Sequence, residues 1–248
     1  MTAITVTSAI DGDQRSFRER ATSIYSRALL GAAAGGAGGM LVGGVGGRLA
    51  MLLLRFTSPD YIRGLESDDG FEMGVITLAT FNLIATTAFL GALAGIFVVI
   101  ALTYMPWSWA PWAWAIPGAT VGGAALVHAD GIDFSLLQPH WLAVALFVAI
   151  PAVGLVSIAL CIRLWERWWW SDRPRTAIAA LCALPIVILF PLGLAVVVGG
   201  AFWAALAGHD PVRLLPQTRL AQRSATVVFA AVSLAFVPML VDDVLSVL

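Results

Sequence analysis

Polar and apolar positions along this chain fall into long blocks rather than the short periods of a water-soluble fold. Residues 1–27 are polar, and apolar runs follow near 28–54, 75–104, 113–129, 141–163, 177–207 and 224–241. A helix of about 20 apolar residues crosses a hydrocarbon core of about 30 Å. The pattern therefore predicts an all-α, polytopic transmembrane helix bundle of about six spans. The third run is short and contains Pro117, and the fifth is longer than one crossing needs and holds Pro185 and Pro191. That fifth run either crosses once or forms a broken element that re-enters from one side; six plain crossings, with both termini inside, are preferred. The implied organisation is a polar cytoplasmic tail over 1–27, expected to be retained rather than cleaved, and one helical membrane domain over 28–248.

Composition supports this class. The chain is 60% hydrophobic and 12% charged, with a mean hydropathy of +0.89. Soluble domains carry about 25% charged residues, so this chain lacks the polar surface to coat a particle in water. Its 14 basic residues are all Arg, which excludes Schiff-base chemistry on a lysine amine. With a net charge of −1, no nucleic-acid partner is expected.

Arginine placement predicts orientation, because cytoplasmic loops concentrate positive charge. Arg15, Arg18, Arg20 and Arg27 precede the first span, and Arg163, Arg167, Arg173 and Arg175 follow the fourth. Both groups are then inside, and the acidic first and third loops are outside. Trp107, Trp109, Trp112 and Trp114 in the second loop, and Trp165, Trp168, Trp169 and Trp170 in the fourth, fall on the same inner side, as interfacial Trp would. Arg213, Arg219 and Arg223 break the pattern if the fifth run crosses once; if it re-enters, they move inside and the C-terminus moves out.

Glycines mark the first span. Gly31, Gly35, Gly39, Gly43 and Gly47 recur at every fourth residue, a glycine-zipper row expected to pack helices closely. The partner is either a second copy or a pore, or else the chain's own helices through Gly91 and Gly95 or Gly118 and Gly122; the latter is preferred. Prolines at 151, 185, 191 and 238 would supply hinges or unwound backbone near mid-membrane.

Candidate chemistry gathers at the predicted outer face. Arg48 lies near the outer end of the first span, where it would snorkel to headgroups, pair with Asp68, Asp69 or Glu72, or serve a function inside the membrane. His128, His140 and His209 end or begin spans there, with Asp130 and Asp133 close by. Imidazole and carboxylate suit a divalent metal, and His128, His140, His209 and Asp130 are the candidate ligands. Turn and capping roles account for the same residues, so no cofactor is predicted. Cys161 and Cys182 lack the C-x-x-C spacing of a zinc or redox pair. H-E-x-x-H and P-loop motifs are absent, so zinc-protease chemistry and nucleotide binding are not expected.

The stretches GGRLAMLLLRFTSPD, SDDGFEMGVIT and HADGIDF resemble segments of multi-pass membrane proteins of high-GC actinobacteria for which no activity is established. The resemblance covers roughly residues 40–150. It implies a membrane location and a recurring pattern made by Arg48, Asp68, Asp69, His128, Asp130 and Asp133. Three roles remain open: a non-catalytic membrane subunit or scaffold, which is preferred; a small-solute or ion transporter or channel; and an enzyme using the outer His and Asp residues. Expected partners are the lipid bilayer and either further copies or other membrane subunits.

Overall fold

The computed structural model describes residues 26–60, 78–104, 110–128, 131, 134, 136–169 and 219–248. Among these residues every regular element is helical. Helix α1 is Ser26–Thr57, α2 is Leu78–Tyr104, and α4 is His140–Trp169. Helix α3 joins four short pieces, Pro111–Trp114, Ala115–Pro117, Gly118–Gly122 and Gly123–Leu126. Helices α5, Arg219–Ala235, and α6, Val237–Val247, follow one another across a single non-helical residue.

Among the described residues four helices are long and apolar enough to cross a membrane: Ser26–Thr57, Leu78–Leu102, His140–Glu166 and Gln222–Val247. Helix α3 is shorter. Its 16 residues rise about 24 Å, and the chain leaves helical geometry at Val127, where ψ is 113°. The apolar run predicted to 129 thus ends early. The chain beyond it still contributes to the core, because Val127, Phe134 and Leu137 are buried. The fifth predicted span, 177–207, lies outside the described residues.

Among the described residues two larger apolar clusters hold the helices, one at each end of the bundle, besides a small contact of Ala32 with Ala92. The near cluster joins Leu30 and Ala34 of α1, Val98 and Leu102 of α2, Trp114 of α3 and Ile158 and Ile162 of α4, with Phe229 of α5 packed against it. The far cluster joins Leu54 with Val127, Phe134, Leu137, Ala143 and Val144, and Leu240 and Val244 of α6 pack on it. Trp114 and Trp112 were equivalent in sequence, yet Trp114 is 2% exposed and Trp112 69%. Two residues apart at the start of a helix, they point to opposite sides. Trp114 is a core residue with its ring edge-on to Phe229, not an interfacial anchor.

These contacts fix helix directions. Gly31 meets Gly95 and Gly44 meets Ile84, so α2 runs antiparallel to α1. Gly38 meets Ile158 and Gly154 faces Val42, so α4 is antiparallel to α1 as well. Gly118 meets Pro151 and Gly123 meets Val148, which makes α3 antiparallel to α4. Phe229 lies on Trp114 and Leu240 on Gly123, so α5 and α6 run parallel to α3 and therefore to α1. The plain six-span arrangement has the last span running the other way. Helix α4 ends, and α5 begins, at the near end of the bundle.

Candidate functional site in the middle of the bundle

Between the two clusters lies a layer in which π turns, an interior proline and a helix interruption fall at one depth. In α1, residues Gly39–Gly46 form π turns, whose i→i+5 bonds widen the helix. In α3, Gly118–Gly122 do the same. Helix α4 carries Pro151 in its interior, and proline offers no N–H to the carbonyl of Phe147 four residues earlier. The α5–α6 helix breaks at Phe236, with Pro238 in the first turn that follows.

Contacts show that these breaks share a level. A Cβ added at Gly118 would lie 2.5 Å from the Pro151 carbonyl oxygen and 2.7 Å from Ala152 Cα. Gly122 sits directly on the Pro151 ring. Gly154, one turn beyond Pro151, faces Val42 inside the π turns of α1. Leu240 packs on Gly123, so the register of a parallel helix puts Phe236, four residues earlier, at about the depth of Ala119. Hydroxyls at this level turn back on their own helices: Thr120 Oγ1 donates to the Ile116 carbonyl at 3.0 Å, and Thr87 Oγ1 to Leu83 at 2.8 Å. Such back-bonding tends to bend helices.

The predicted glycine row reaches this layer and stops. A Cβ at Gly31 would stand 2.6 Å from the Gly95 carbonyl oxygen, and Gly35 meets the Gly91 carbonyl oxygen. Gly39 meets the Thr87 carbonyl oxygen and Gly91. Gly43 touches only the Thr87 side chain, and Gly47 has nothing within 4 Å. The π turns explain the loss: where a turn takes more residues, a four-residue step falls short of a full turn, and Gly47 swings off the seam.

The outer polar candidates are described in part. All three guanidinium nitrogens of Arg48 are shielded from solvent, one residue past Gly47. His128 is exposed at the end of α3, and its carbonyl accepts from the Gly131 N–H at 3.1 Å. His140 opens α4 with Nδ1 buried and unpartnered. Asp68, Asp69, Glu72, Asp130, Asp133 and His209 lie outside the described residues. Among the described residues no three His, Cys, Asp or Glu side chains group as metal ligands would. What the far end does contain is a polar clasp that the sequence did not reveal. Ser58 Oγ donates to the Gln138 carbonyl at 3.1 Å and accepts from its N–H at 2.9 Å, while Thr57 Oγ1 donates to the same carbonyl at 2.8 Å. It ties the end of α1 to the segment entering α4, over 80 residues away.

No family model matches the chain, and no curated protein or solved structure is significantly similar to it.

Proposed function

We propose that the chain is a multi-pass protein of the cell membrane that passes a small solute or ion, with the near end of its bundle cytoplasmic. The observation that carries this reading is the shared layer of breaks at Gly39–Gly46, Gly118–Gly122, Pro151 and Phe236. A membrane helix that departs from i→i+4 bonding frees main-chain carbonyls, and such departures persist where neighbours or a polar cavity receive them. Transporters build solute and ion sites from interrupted helices of this kind. Among the described residues, Gly39–Gly46, Gly118–Gly122, Pro151 and Phe236 include no charged side chain, so a passing species would meet carbonyl and hydroxyl dipoles there.

Orientation follows from the helix directions. Parallel α1 and α5 put Arg219 and Arg223 at the same end as Arg27 and Arg163, which satisfies the positive-inside rule for all four. The N-terminus is then cytoplasmic and the C-terminus outside. The re-entrant reading of 177–207 fits this parity, and the plain crossing does not.

Labelling tests the passage. In a Cys161→Ser, Cys182→Ser background, a cysteine replacing Thr120 should react with a membrane-impermeant maleimide applied to intact cells or inverted vesicles. Reaction only after detergent solubilisation would contradict it. That outcome would favour the second reading, a non-catalytic membrane subunit. The observation on its side is that hydroxyls within the bundle are spent on the protein's own main chain, as at Thr87, Thr120, Thr226 and Ser233. A subunit would co-purify with partner chains in mild detergent; a monodisperse monomer would count against it.

A further inference from the structure

We propose that the mid-bundle layer is a hinge on which the far cluster swings as one body against the near cluster. This deepens the passage reading, since a conduit must expose its middle to each side in turn, and it rests on three observations.

The two ends are separately consolidated. The near cluster packs α1, α2, α3 and α4 through Leu30, Val98, Trp114 and Ile162, and the far cluster packs through Leu54, Leu137, Val144 and Leu240; no residue belongs to both. The clasp from Thr57 and Ser58 to Gln138 adds hydrogen bonds across the far body. Every connection between the bodies made by α1, α3, α4 and α5–α6 passes through π turns, an interior proline or a helix interruption. Regular helix resists bending, whereas proline, π turns and back-bonded hydroxyls are the recognised sites of kinks. Four such sites at one depth allow the ends to turn together, because each helix yields where its neighbours yield.

Where α3 crosses α4, the layer is made of glycine backbone against a proline. Gly118 and Gly122 bring α3 directly onto Pro151. Interdigitated side chains would have to disengage for one half of a helix to move over another. Glycine against a proline ring presents no such barrier.

Helix α2 supplies the fixed reference. It is continuous from Leu78 to Tyr104, and it contributes Val98, Val99 and Leu102 to the near cluster and nothing to the far one. It therefore belongs to the near body.

The test is a pair of distance distributions in lipid nanodiscs, read by pulsed electron resonance on the Cys161→Ser, Cys182→Ser chain. Spin labels at Trp141→Cys and Ile100→Cys span the layer, and labels at Leu164→Cys and Ile100→Cys stay within the near body; all three positions are exposed. The spanning pair should give a distribution that is broad or has two peaks, and the control pair a single narrow one. Pro151→Ala, which restores an N–H to the Phe147 carbonyl, should collapse the spanning pair to one peak. A spanning distribution as narrow as the control overturns the hinge, and so does a folded Pro151→Ala protein whose breadth is unchanged. If that variant does not fold, the comparison of the two pairs decides alone. A rigid result here leaves labelling at Thr120 free to succeed, so the hinge and the passage fail separately.

Discussion

Gly118 and Pro151 meet main chain to main chain: a side chain at position 118 would begin 2.5 Å from the Pro151 carbonyl oxygen. The two residues come from antiparallel helices, Gly118 opening the π turns of α3 and Pro151 withholding an N–H inside the continuous α4. Gly118→Val should force α3 away from α4. Overpacking of this kind costs about 1–3 kcal/mol, read as a lower melting temperature in detergent. An unchanged melting temperature would show that α3 shifts at no cost and that the close approach is dispensable.

The glycine row gives a contrast within one helix. Gly39→Leu drives a side chain into the Thr87 carbonyl and Gly91, whereas Gly47→Leu enters space with no neighbour within 4 Å. The first should lower stability by about 2 kcal/mol or more. The second should change it by less than about 0.5 kcal/mol, as substitutions away from packed features do. Equal effects from the two variants would mean that the seam does not end at the π turns.

Trp114 buries an indole N–H that has no hydrogen-bond partner among the described residues, at 2% exposure. Trp114→Phe keeps an aromatic ring beside Phe229 and removes the unpaired donor, whose burial costs about 1–3 kcal/mol. The lost volume offsets that relief in part, so stability should stay the same or rise. Trp114→Ala should lose about 3–5 kcal/mol. Thermal unfolding of both variants checks the pair, and a marked fall for Trp114→Phe would reveal a partner for the N–H.

Ser58 is 7% exposed and makes two hydrogen bonds to Gln138. Ser58→Ala leaves the Gln138 N–H without its acceptor and should cost about 1–2 kcal/mol. Hydrogen exchange at the Gln138 and Leu137 amides should speed up. Exchange unaltered there would show that the clasp does not hold the entry to α4.

Much of the fold was legible because a membrane span is a requirement on length and apolarity, and the runs at 28–54, 75–104 and 141–163 meet it plainly. Pro151 and Pro238 announced their breaks, since a missing N–H is visible in sequence. The π turns were not legible: Gly39–Gly46 reads as a uniform small-residue run, and only the packed structure shows Gly47 turned aside. The direction of the last helix was equally hidden. Apolarity shows that a run enters the membrane but carries no direction; the contacts of Phe229 and Leu240 give the direction of α5–α6. The polar candidates at the far end carry residue types that serve as ligands and as turn formers alike, so their spacing could not separate the two.

The account depends most on α5–α6 running parallel to α1, because this sets which groups face each side. Paired reporter fusions measure it directly. Alkaline phosphatase, active only outside the cytoplasm, and green fluorescent protein, fluorescent here only inside, would each be fused after Leu248 and, separately, before Met1. The account predicts an active phosphatase and a dark fluorescent protein at the C-terminus, with fluorescence at the N-terminus. A bright fluorescent protein and an inactive phosphatase after Leu248, together with fluorescence at the N-terminus, would place both termini on one side and contradict it.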